Sequence, residues 1–71
     1  MKNNVKEIRK RMKISQEEFA KKCNVTRQTV NAIENDKYDP TLALAFKLSK
    51  NLDMTVDKLF TFEEEKNEKS R

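Results

Sequence analysis

Seventy-one residues allow one domain with one modest core and leave no room for a deep catalytic cleft. The chain has no histidine, no glycine and one cysteine, Cys23; this excludes the commonest general base and metal ligand, a phosphate-cradling glycine loop, an internal disulfide and a cysteine-based zinc site. The net charge of +4 is uneven: residues 1–38 carry ten Lys/Arg against five Asp/Glu, a balance of +5, and residues 39–71 carry six against seven, a balance of −1. A basic half attracts polyanions whatever their sequence, although solvated lysine-rich helices share that composition.

Apolar residues recur at helical spacing almost throughout. Val5, Ile8 and Met12 form one stripe and predict a first helix from about residue 4 to 13. Ser15 opens a Ser-x-x-Glu capping box with Glu18, and Phe19, Ala20 and Cys23 give the second helix its inner face. That helix is expected to stop at Asn24, because asparagine follows glycine as the residue that best tolerates a left-handed C-cap. Val25 packs the turn and Thr26 is an N-cap for a third helix, which Asn35-Asp36 end. Asp39-Pro40-Thr41 reads as a linker and start signal. Leu42, Ala45, Phe46 and Leu48 mark a fourth helix to about residue 51, and Thr55 caps a brief fifth one with Val56, Leu59 and Phe60. Phe60-Thr61-Phe62-Glu63 alternates with period two; it reads either as a short strand, paired with the N-terminus or a dimer mate, or as a helix end. The expected class is therefore all-α with five helices, as one domain over residues 1–62 and a charged flexible tail over 63–71. The start has no apolar run behind it, so no signal peptide is expected. No apolar segment approaches membrane-spanning length, and a reducing cytoplasm fits.

Residues 15–35 are the most informative stretch: two short helices joined by a tight turn, the arrangement that places a helix in the major groove of DNA. Projected at about 100° per residue, Val30 and Ile33 set the core direction of the third helix. Gln28, Asn31, Ala32 and Asn35 then lie within about 50° of the opposite side, with Arg27 beside them. Arginine suits guanine, glutamine and asparagine suit adenine, and Ala32 leaves room for close approach or for a thymine methyl. The candidate base-reading residues are thus Arg27, Gln28, Asn31 and Ala32, with Arg27 meeting a base or a phosphate. Gln16, near the start of the second helix, and Thr26, Thr29, Asn35, Lys37 and Tyr38 are candidates for the sugar-phosphate backbone. Capping alone accounts for Thr26 equally well, and Lys37 reads as readily as a solvated lysine.

On Ile8-Arg9, residues 15–20 (Ser-Gln-Glu-Glu-Phe-Ala), residues 25–30 (Val-Thr-Arg-Gln-Thr-Val), Ile33-Glu34-Asn35, Pro40-Thr41-Leu42 and Leu59-Phe60, the chain resembles the lambda-repressor-like, Cro/repressor-type helix-turn-helix regulators (the xenobiotic response element family). It is especially similar to compact bacterial members that consist of little beyond the DNA-binding domain. The resemblance covers roughly residues 4–60. It implies five helices, a homodimer, a two-fold operator and transcriptional control, and an ion pair between Arg9 and Glu34. Glu34 lies about 70° from the core direction, which permits that pair. The family often has glycine where this chain has Asn24, and again near Asp36; both replacements tolerate the required backbone angles.

The first functional expectation is a sequence-specific DNA-binding regulator, a repressor by preference, that meets double-stranded DNA as a homodimer. Its dimer contact is expected from Met54, Leu59, Phe60 and Phe62, the apolar residues that one small core would leave over. The same segment supports an alternative, an antitoxin or other protein-interaction module with a co-regulator partner and secondary DNA binding. An enzyme is not expected: carboxylates such as Glu17 and Asp57 have no partner constellation, and no cofactor or metal site is indicated.

Overall fold

Side-chain caps set where the three longest helices begin. In the computed structural model, which describes residues 1–61, the element order is β1 (Lys2–Asn3), α1 (Val5–Arg11), α2 (Gln16–Cys23), α3 (Arg27–Glu34), α4 (Leu42–Asn51), α5 (Val56–Leu59) and β2 (Phe60–Thr61). Ser15, Thr26 and Thr41 each accept a hydrogen bond from the backbone N–H three residues on, at 3.0, 3.1 and 3.2 Å. Each thereby satisfies one of the donors that a helix start leaves unpaired. Thr55 occupies the same position before α5 but makes no such bond. Its hydroxyl bonds the Asp57 carboxylate instead and holds that exposed group below its ordinary pKa. Phe62 and the expected tail over 63–71 lie outside the described residues.

Among the described residues four reverse the chain with positive φ, and none is glycine: Lys13 (60°), Asn24 (62°), Asp36 (60°) and Asp53 (58°). Asn24 is the left-handed cap expected of it, with its N–H bonded back to Ala20 and Lys21. Lys13 has no short polar side chain to favour that conformation and bears its steric cost outright.

The five helices enclose one core. Phe19, Ile33, Leu48, Leu59, Val5, Val30 and Cys23 are fully buried at its centre. Helix α2 packs on both α3 and α4, and α4 carries α5. The two short strands pair antiparallel, with Lys2 opposite Thr61 and Asn3 opposite Phe60. The Asn4 N–H extends this pairing to the Leu59 carbonyl at 2.9 Å. Of the openings left for the 60–63 segment, Phe60–Thr61 therefore takes the strand paired with the N-terminus.

Three apolar expectations need correction. Met12 is 43% exposed, because α1 ends one residue earlier and the stripe leaves the core there. Leu42 and Phe46 are 69% and 58% exposed. Helix α4 turns Ala45, Leu48 and Ser49 inward, and Phe46 falls roughly 110° from that direction. Conversely, Leu59 and Phe60 are buried in the chain's own core, at 0% and 7% exposure. The strand pairing holds them there, which removes the reason for assigning them to a dimer contact. Met54 is half-buried against the same core.

Candidate nucleic-acid interface

The turn between α2 and α3 is short because Asn24 reverses the chain and Val25 immediately returns its N–H to the Ala20 carbonyl at 3.0 Å. Val30 and Ile33 anchor α3 in the core, which turns the other side of the helix outward. On that side Arg27, Gln28, Asn31 and Asn35 are exposed and Ala32 is half-buried. The angular projection thus placed the outer face where the packing puts it. Among the described residues, three shallow depressions flank the helix. One is lined by Asn31, Ala32, Asn35 and Lys37. A second is lined by Thr26, Gln28, Thr29, Ala32 and Tyr38. The third lies between Arg27 and the α2 start, lined by Arg9, Ser15, Gln16 and Glu17. The small side chain of Ala32 separates the first two and keeps the middle of the face low.

Gln28 makes no side-chain hydrogen bond among the described residues, so both halves of its amide are available for the bidentate pattern that matches adenine. Arg27 is likewise unpaired among them. Thr26 and Thr29 share one hydrogen bond between hydroxyls at 3.0 Å, which leaves one hydroxyl proton for an acceptor such as a phosphate oxygen. Lys37 and Tyr38 follow α3 at the rim of the face, Tyr38 being 45% exposed.

Behind this face lies a polar network. Arg9 grips Glu34 with two bonds, Nε to Oε2 at 2.7 Å and Nη2 to Oε1 at 3.2 Å, and donates a third from Nη1 to the Ile14 carbonyl at 2.8 Å. The Arg9 and Glu34 side chains are 8% and 1% exposed. The pair implied by the family resemblance is therefore a buried, bidentate one, the geometry in which a charged hydrogen bond is strongest. Gln16 joins it by donating from Nε2 to Glu34 Oε1 at 2.9 Å and to Asn31 Oδ1 at 3.2 Å.

This changes the reading of two backbone candidates. Both N–H groups of Gln16 are spent inside the protein, and its remaining oxygen is an acceptor, which a phosphate cannot use. Asn35 is in the same position: its Nδ2 serves the Asn31 carbonyl at 2.9 Å and Asn31 Oδ1 at 3.2 Å. Main-chain groups at the start of α2 and the Arg27 guanidinium remain for a phosphate beside Gln16.

One positioning residue escaped the sequence reading altogether. Asn3 donates to the Ile33 carbonyl at 2.9 Å and accepts from the Val5 N–H at 3.1 Å, tying the end of α3 to the start of α1. Nothing in the residue order could reveal it, since the contact spans thirty positions. Met54 lies away from this face, with Lys50, Asp53, Thr55 and Lys58 around a separate depression.

Residues 5–59 match the family model described as helix-turn-helix, and the chain belongs to that family of DNA-binding transcription regulators. It is 45% identical over 65 residues to an uncharacterised HTH-type transcriptional regulator of Methanocaldococcus jannaschii, covering 92% of this chain and 98% of that one. It is 49% identical over 65 residues to the uncharacterised HTH-type transcriptional regulator YgzD of Bacillus subtilis, with the same coverage. Among solved structures it is similar to the restriction-modification controller protein C.AhdI of Aeromonas hydrophila. That match has a TM-score of 0.75 at 28% identity, over 80% of this chain and 86% of the other.

Proposed function

We propose that the chain is a sequence-specific repressor, acting in the cytoplasm, which binds a two-fold DNA operator as a C2 homodimer with α3 in the major groove. The observation that carries this reading is the outer face of α3. Gln28 has its whole amide available beside Arg27, and Ala32 keeps the centre of the face low. One such helix reads only a few base pairs, and a second copy doubles the contacts. A helix lodged in the groove of a promoter excludes other proteins from it, which is repression.

The contact between copies shifts from the segment expected first. Leu59 and Phe60 serve the chain's own core, whereas Leu42 and Phe46 stand one helical turn apart and exposed on α4. That pair is the apolar surface offered to a second copy. Selection from random duplex DNA is expected to recover a two-fold motif with half-sites about 10 bp apart. Sedimentation is expected to show a dimer that Phe46→Asp separates into folded monomers. An unmodified chain that stays monomeric at tens of micromolar and binds a half-site tightly would contradict the dimer. Recovery of no sequence motif at all would contradict DNA reading. A stable complex with a different small protein, in place of self-association, would favour the antitoxin-like alternative.

A further inference from the structure

We infer that the buried Glu34 carboxylate fixes which way round Asn31 presents its amide to DNA, so that Asn31 acts as a donor and prefers guanine over adenine. The inference rests on the DNA-reading proposal above. It follows from the order of hydrogen bonds behind the α3 face. A carboxylate only accepts, and Glu34 is held in place by Arg9 at 2.7 and 3.2 Å. The Gln16 side chain 2.9 Å from Glu34 Oε1 must therefore present its nitrogen there, not its oxygen. The second N–H on that nitrogen reaches Asn31 at 3.2 Å, so Asn31 must answer with its oxygen. Asn35 Nδ2 occupies the same oxygen from the other side, also at 3.2 Å. Both acceptor positions of Asn31 Oδ1 are then filled.

What remains of Asn31 is an NH2 group with no bond among the described residues, on an exposed side chain lining the depression shared with Ala32 and Lys37. A free asparagine reads adenine by accepting from N6 and donating to N7. An asparagine whose oxygen is already spent has lost the accepting half. It meets guanine, whose N7 and O6 both accept, and it opposes the N6 amino group of adenine. Neighbouring residues on one helix thus read differently: Gln28 keeps both halves of its amide, and Asn31 keeps one. Gln16 and Glu34 act through Asn31, as positioning residues for specificity.

The test uses duplexes carrying each base in turn at every position of the selected site, with affinity read by fluorescence anisotropy. Asn31→Ala marks the base pair that Asn31 reads, as the one where discrimination disappears. At that pair the unmodified chain is expected to favour guanine over adenine by about tenfold. Gln16→Met combined with Asn35→Ala leaves Arg9 and Glu34 paired but removes both donors to Asn31 Oδ1 and so frees Asn31 to turn; the preference is expected to shrink to within about twofold. Asn31→Asp keeps an acceptor for Gln16 and Asn35 and supplies no donor, so it is expected to reverse the preference without relying on the fold of the Gln16 variant. Adenine preferred at the Asn31-dependent pair, no pair depending on Asn31, or guanine preference unchanged in the folded Gln16→Met, Asn35→Ala double variant would each overturn the inference while leaving DNA reading intact. An unmodified chain without sequence preference would instead bring down the DNA-reading proposal and this inference with it.

Discussion

Between Ser15 and Asn35 the structure is governed by polar detail, and between Leu42 and Thr61 by apolar packing. In the first region caps at Ser15 and Thr26 set the helix starts, Asn24 sets the turn, and a chain of hydrogen bonds runs from Arg9 through Glu34 and Gln16 to Asn31. In the second, Leu48, Leu52, Leu59 and Phe60 are buried while Leu42 and Phe46, equally apolar, face outward. The difference is one of what each region must hold still. A helix that reads bases needs its side chains held to the scale of a hydrogen bond, and directional bonds do that. The region behind it need only bury enough surface to keep the scaffold folded, at about 1.5–3 kcal/mol for each large apolar side chain.

The sharpest way to break this comparison is to cut the network at its root. Arg9→Met leaves a carboxylate buried without its cation and is expected to cost about 3–5 kcal/mol in urea unfolding. That is a large share of what so small a domain has. A loss below 1 kcal/mol would show that Glu34 finds water or another donor. Next in size is the apolar side. Ile33→Ala is expected to cost about 2–5 kcal/mol, with any loss of DNA binding tracking the fraction unfolded. Phe46→Ser, in the proposed contact between copies, is expected to stay within about 0.5 kcal/mol when unfolding is followed at a concentration low enough for the monomer. Equal costs for the two would mean that α4 is covered within the chain.

Smaller effects separate reading from folding. Gln28→Ala should leave the melting temperature unchanged and cost about 1–3 kcal/mol of binding at the preferred site, with relaxed specificity at one base pair. Lys13→Gly removes a side chain from a left-handed position and is expected to add about 0.5–1 kcal/mol of stability; a loss would mean that the lysine side chain makes a compensating contact. The smallest effect concerns Cys23. Burial pushes its thiol pKa up, while the Asn51 amide at 3.6 Å and the Lys47 charge pull the other way. The folded thiol keeps its proton where an unfolded one has lost it. Stability is therefore whole below the ordinary thiol pKa and declines as pH rises through the raised value. A thiol reagent at pH 8 should react far more slowly with the native chain than with the urea-unfolded one.

How much of this was legible in the sequence depended on the range of the interaction. The caps at Ser15, Thr26 and Thr41 and the reversals at Asn24 and Asp36 were readable, because each is settled within four residues by a side chain that favours it. The outer face of α3 was readable from periodicity alone. The reversals at Lys13 and Asp53 were not anticipated: lysine carries no preference for that backbone, and its neighbours impose it. Gln16 was assigned to a phosphate because its partners Asn31 and Glu34 sit on the facing helix, which only the crossing of α2 over α3 decides; Asn35 turns back on Asn31 four residues earlier, a local bond that competes with its outward position on the helix. Leu59 and Phe60 looked spare because only the long-range pairing of β1 with β2 puts them inside.

The central claim, that the α3 face meets DNA, is tested most directly by titrating the 15N-labelled chain with its selected duplex and following both backbone and side-chain amides. The account predicts that the largest shifts fall on residues 27–32, including the side-chain amides of Gln28 and Asn31, with the Gln16 amide little moved. Shifts gathered on α4 around Leu42 and Phe46, with α3 unmoved, would contradict it.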